Sequence, residues 1–175
     1  MATRVVARTL PTSLAVLLGD PEAVALKILR SADIYGLLSI TVRLHRVDCV
    51  VLEVILGPWA PMAAAGYPTE RIGILVSADG RVLAVPHRAD ERRWLHRFGD
   101  LPGRLCLWFD EDPRALRWEW EDGFEAYLTI VHRHLQAEEY WRRHGAWPGE
   151  DAPHGKGPHP IKSWALRKIA EGRAA

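Results

Sequence analysis

Hydrophobic positions along this chain change period several times. After Asp20-Pro21-Glu22, an N-cap followed by a first-turn proline and acid, Val24 with Ile28 and Ala25 with Leu29 share one helical face. That helix is expected to end near Ser31 to Asp33. Gly36 to His45 is apolar and partly β-branched, and Asp48 to Leu56 repeats the pattern beyond a bend at Arg46-Val47, so both read as strands. Gly57 to Pro68, with three prolines, two glycines and three consecutive alanines, reads as loop. Arg71 to Val76 and Arg81 to Val85 are two further strands around Ser77-Ala78-Asp79-Gly80, where an Asp-Gly pair signals a tight hairpin. Together these predict an antiparallel meander of four strands behind an N-terminal helix.

The second half is punctuated differently. Pro86 to Pro102 is charged and irregular, and Arg104 to Phe109 is a short apolar strand carrying Cys106. Asp110 to Trp120 mixes acids, arginines and tryptophans and reads as a loop. Asp122 is expected to cap a long helix whose stripe is Phe124, Tyr127, Leu128, Val131 and Leu135, running to Arg143 with Gly145 as its stop. From Trp147 to Pro160, four prolines and three glycines predict an extended tail. A last short helix is expected over Trp164 to Ala170. The whole reads as one α+β domain over 1–175, with a core at about 20–145 and a tail at 146–175. No internal repeat is found.

Composition narrows the function classes. With a formal net charge of +1, the chain has no strong pull toward nucleic acid or anionic membrane. Two cysteines make no disulfide framework, and reduced thiols fit a cytoplasmic setting. The N-terminus lacks the order of a signal peptide, and no apolar run approaches membrane-spanning length. Six of the eight tryptophans fall between Trp94 and Trp147, so the middle of the chain has much aromatic surface to bury or present.

Candidate chemistry centres on Cys106. A thiol at a strand end, following the Pro102-Gly103 turn, is expected to be half exposed, with Arg97 and Arg104 lowering its pKa. The plainer reading is a buried strand cysteine. Cys49, inside a strand, reads as core. His96, ten residues before Cys106, either shapes an active-site loop or is an exposed loop histidine. His154, beside Glu150 and Asp151 in the tail, either folds back toward Cys106 as an acid–base group or stays solvated. In one arrangement Trp147 and Trp164 pin the ends of the tail and the segment between crosses the face carrying Cys106.

His132, His134 and His144 invite a zinc reading. Yet His132 and His134 point to different helix faces, and neither a second cysteine pair nor a His-Glu-x-x-His run accompanies them. No metal or cofactor is expected. Arg92, Arg93, Arg97, Arg114 and Arg117 among tryptophans suggest single-stranded nucleic acid, but acids are interleaved throughout and a solvated face is favoured.

The order of helix, four-strand meander, cysteine segment, tryptophan loop and amphipathic helix resembles the ubiquitin-conjugating enzyme family over roughly residues 20 to 145. Gly103-Arg104-Leu105-Cys106-Leu107 is similar to that family's step into its reactive cysteine, and His96 has the spacing of the histidine in its His-Pro-Asn motif. Trp118 or Trp120 stands where the family's later tryptophan falls. Arg97 and Phe98 replace the motif's proline and asparagine, which leaves the oxyanion-supporting role to another group or to none. Glu150-Asp151-Ala152-Pro153-His154-Gly155 looks like bacterial relatives in antiphage operons of the cyclic-oligonucleotide type (CBASS).

The resemblance implies a cysteine-dependent transferase in antiviral defence. Its thioester would form at Cys106 with His96 and His154 assisting, and its partners would be a nucleotide cyclase C-terminus or ubiquitin-like protein and a target amine. The competing reading is a catalytically inactive adaptor that binds such a tail. A third is an interaction domain unrelated to conjugation, preferred only without the meander.

Overall fold

A computed structural model of the chain describes residues 11–31, 34, 36–87, 97–98 (backbone only), 103–108 and 112–148. Over these residues the protein is α+β, with a four-stranded antiparallel sheet and a long helix following it in sequence. The expected last helix at 164–170 and the extended tail beyond Pro148 lie outside the described residues.

Two short helices open the described chain. Helix α1 (Leu14–Gly19) was not expected from periodicity, and Ser13 caps it through the Val16 amide. Helix α2 (Pro21–Arg30) starts as expected, with the Asp20 carboxylate accepting from the Ala23 amide at 3.0 Å. Val24, Ala25 and Ile28 are buried on the sheet, whereas Leu29 is exposed, so the apolar face is narrower than its spacing suggested.

Strands β1 (Leu37–Arg46), β2 (Cys49–Leu56), β3 (Glu70–Ser77) and β4 (Val82–Pro86) pair in sequence order, each antiparallel to the next. Between β2 and β3 the expected loop contains a one-turn helix, α3 (Ala60–Ala64), with Pro61 in its first turn. The β3–β4 turn is the Asp79-Gly80 hairpin, with the Arg81 carbonyl accepting from the Ser77 amide at 3.0 Å. The Asp79 carboxylate bonds Arg81 and Ser77, and these contacts hold its pKa well below the usual carboxylate range.

Helix α4 (Phe124–His144) closes the described fold. Its cap is a correction. Gly123, not Asp122, is the N-cap, and Asp122 ends a 3-10 turn (Trp120–Asp122) in which its carboxylate accepts from the Glu119 amide at 3.0 Å. Asp122 also binds Arg114, which keeps its pKa low. At the other end Gly145 stops the helix as expected, donating to the Trp141 carbonyl at 2.7 Å.

Alternation divides the sheet. Val50, Leu52, Val54 and Leu56 of β2, with Ile72, Ile74 and Val76 of β3, pack against Leu17, Val24, Ile28, Phe124, Tyr127, Leu128, Val131 and Leu135 in one core. Cys49, Val51, Leu75 and Val85 form a separate cluster on the opposite face.

Gly36 fixes how β1 enters the sheet against α4. Its φ is +85°, its carbonyl accepts from the Gly57 amide at 2.8 Å, and an added Cβ would lie 2.5 Å from both the Gly57 oxygen and His132 Cε1. Left-handed strain and overpacking each cost about 1–2 kcal/mol or more. Gly36→Ala is therefore expected to lower stability by roughly 2–4 kcal/mol, read as a fall in thermal midpoint of the order of 5–15 °C. Gly19→Ala, with nothing within 4 Å of its added carbon, is the control and should shift it little.

Candidate active site

The polypeptide reaches Cys106 through a turn and a two-residue strand. Gly103 takes φ +85°, a conformation that L side chains rarely adopt. Strand β6 (Arg104–Leu105) then pairs antiparallel with β5 (Arg97–Phe98) and lies beside β4, so the segment expected at the edge of the meander is found there. The strand is shorter than expected: Cys106, Leu107 and Trp108 come after it without strand pairing. Leu105 is buried in the main core, and Arg104 on the same short strand is near enough for its charge to act on the Cys106 thiol.

Cys106 is 8 % exposed, not half exposed. Burial pushes its thiol up, Arg104 pulls it partly back, and the Asp112 carboxylate pushes it further, leaving the pKa at about 11. The expectation of a lowered pKa is thus corrected. Arg104 acts in the expected direction, but lost hydration and a nearby acid outweigh one cation. At neutral pH a thiol of this kind is about one part in ten thousand thiolate.

An aromatic wall holds the chain in place just beyond the cysteine. The Trp108 ring lies 6.3 Å from Trp118 and 6.1 Å from Tyr127. Trp118 packs edge-on against Trp120 and Tyr127 and donates its indole N–H to the Gly123 carbonyl at 2.8 Å. Trp120 donates to the Gly80 carbonyl at 2.8 Å, tying the wall to the β3–β4 hairpin. These rings are core, and Arg114 and Arg117 are held by Glu119, with Arg114 also on Asp122.

His96 and His154 lie outside the described residues. The two helix histidines do part as expected: His132 packs its ring edge-on to Trp59 at 5.6 Å, while His134 lies 3.3 Å from the Glu138 carboxylate with the Trp147 ring against it. Among the described residues no cluster of His, Cys, Asp or Glu is arranged to hold a metal. Cys49 is fully buried, as expected of a core residue.

Sequence reasoning missed Glu138, a completely buried carboxylate between His134 and Arg142, whose guanidinium lies 3.9 Å away. The available signal was His134, Glu138 and Arg142 at successive four-residue spacings on one helix face. No described helix is long and apolar enough to cross a membrane.

Comparison of the chain with protein-family models, curated proteins and solved structures finds no match to any of them.

The raised thiol pKa makes a direct kinetic prediction. Relative to a thiol at the ordinary value of 9.0, a pKa of about 11 reduces the thiolate at pH 7.5 by roughly 100-fold. Alkylation of Cys106 by iodoacetamide, followed by peptide mass spectrometry, should be slower by about that factor and still rising at pH 10. Asp112→Asn should speed it and Arg104→Gln slow it. A profile that levels off at or below pH 9 would contradict the assignment.

Proposed function

We propose that this chain is a transferase of the ubiquitin-conjugating type, which carries the C-terminus of another protein on Cys106 and passes it to an amine. The observation that carries the reading is the position of Cys106. It directly follows a short strand lying beside β4 of a four-strand antiparallel meander, and the aromatic wall and long helix come next in sequence. The local run Gly103-Arg104-Leu105-Cys106-Leu107 agrees with this placement.

The chemistry is two acyl exchanges. The Cys106 sulfur attacks a C-terminal carbonyl already activated as a thioester or acyl adenylate; the S–C bond forms, the thiol proton leaves to solvent or a base, and the activating group departs. An acceptor amine then attacks the thioester carbonyl, its nitrogen loses a proton, and the thiol is regenerated. Arg104, whose charge acts on the thiol, supplies positive charge where the thiolate and oxyanion develop. In the bacterial antiphage setting suggested by the tail motif, the carried protein is the nucleotide cyclase and the reaction takes place in the cytoplasm.

The burial and high pKa of Cys106 favour a second reading, an adaptor of the same shape that binds a protein tail without forming a bond to it. Co-expression with the neighbouring genes separates the two. Under the transferase reading, Cys106→Lys accumulates a stable amide-linked adduct, and Cys106→Ala abolishes conjugate while the chain stays folded, losing about 1–2 kcal/mol for a small buried side chain. If Cys106→Ala conjugates as the parent does, or Cys106→Lys retains the partner only noncovalently, the transferase reading fails.

A further inference from the structure

Charged side chains from all four strands of the sheet meet on its second face, the one opposite the main core. Glu53 of β2 is their centre and is only 8 % exposed. Arg71 of β3 lies on the same face, opposite Ile55. His87, just past the end of β4, continues that row, its amide donating to the Arg71 carbonyl at 2.8 Å. Arg43 arrives by a bulge in β1. Val42 pairs with Leu52 and Leu44 with Val51, so Arg43 has no partner on β2 between them. Bulges re-aim side chains. This one delivers Arg43 Nη2 to the Glu53 carboxylate at 2.7 Å.

The charges at this spot do not balance. Two guanidinium groups face one carboxylate, which leaves one positive charge in excess; protonation of His87, 3.8 Å from Glu53, makes it two. The donors do not balance either. Arg71 stands 3.4 Å from Glu53, and among the described residues its guanidinium donates no hydrogen bond. Arg43 Nε is buried without a partner. Arg43 alone would neutralise Glu53, so the charge of Arg71 is surplus to that need. Arg71 is also 53 % exposed, which leaves its corner of the face open to a small ion.

We propose that Arg43, Arg71 and His87 form a binding site for a phosphate dianion. The planar fork of arginine matches phosphate oxygens and can give two parallel hydrogen bonds. A dianion also meets the excess charge better than a monoanion does. Glu53 has two effects on such a site: it holds Arg43 in place, and its own charge opposes weakly charged ligands. None of this depends on any chemistry at Cys106.

Calorimetric titration of the full chain with inorganic phosphate tests it, at pH 7.5 and with ionic strength held constant by sodium chloride. The expected result is saturable binding of one phosphate per chain, half-saturated below about 10 mM. Acetate, a monoanion, should bind about tenfold more weakly or not at all. Arg71→Gln, at an exposed position, should weaken phosphate binding about tenfold or more. Glu53→Gln, which removes the competing charge, should tighten it. Arg114→Gln is the control, since Glu119 and Asp122 hold that guanidinium elsewhere, and should leave binding unchanged. Circular dichroism checks that the variants remain folded; if Glu53→Gln does not fold, Arg71→Gln decides alone. The inference is overturned by no saturable binding in the parent, by equal affinity for acetate, or by parental affinity in Arg71→Gln. It is overturned equally by loss of binding in Arg114→Gln, or by a folded Glu53→Gln that binds no more tightly.

Discussion

The pairing of β2 with β3 is the constraint on which the rest of the structure depends. Eight consecutive partners, from Cys49 opposite Ser77 to Leu56 opposite Glu70, lock one register. A slip by one residue would exchange the two faces and bring Glu53 into the layer that receives Phe124 and Tyr127. Glu53 instead sits on the second face, held by Arg43 at 2.7 Å and Arg71 at 3.4 Å, with His87 at 3.8 Å. A carboxylate so placed opposes the slipped register as firmly as the apolar residues favour the observed one, because burying it among aromatic rings would leave it unpaired.

From that register the site is built up by contact. The sheet positions β4, β4 lies beside the short strand β6, and Leu105 turns into the core, with the Arg104 charge acting on Cys106 just beyond. Two effects then oppose each other at the sulfur. Edge placement and the Arg104 charge favour chemistry there, while loss of water and the Asp112 charge keep the thiol protonated. In the resting protein the second pair wins. Under the proposed transferase reading, acyl exchange at this sulfur requires a partner that supplies the activated carbonyl, because the resting thiol is protonated.

The parts of the fold and site that are legible in the sequence rest on local rules. The Asp79-Gly80 hairpin, the Asp20 cap and the Gly145 stop each depend on a few neighbouring residues, and each lies where the pattern puts it. What escapes depends on tertiary contact or on very short elements. Helix α1 has six residues, too few for a period to show, and only Ser13 marks it. Asp122 looks like a helix cap because a 3-10 turn ends with the same residue type. The exposure of Cys106 is set by what packs over it, which no local rule describes. Glu138 is hidden because a charged residue on a helix ordinarily reads as solvated. One signal was present and unused: Cys49 to Leu56 is an almost unbroken apolar run, the mark of a strand buried on both faces rather than one.

The central claim, that a buried thiol beside β4 carries an acyl group, is tested most directly by the intact mass of the native protein. The chain would be isolated with its neighbouring gene products under thiol-free conditions, then weighed before and after hydroxylamine. The account predicts a protein-sized adduct that maps to Cys106 and disappears with hydroxylamine. A single unmodified mass, although the neighbouring proteins are present and active, would contradict it and leave Cys106 as a packed core residue.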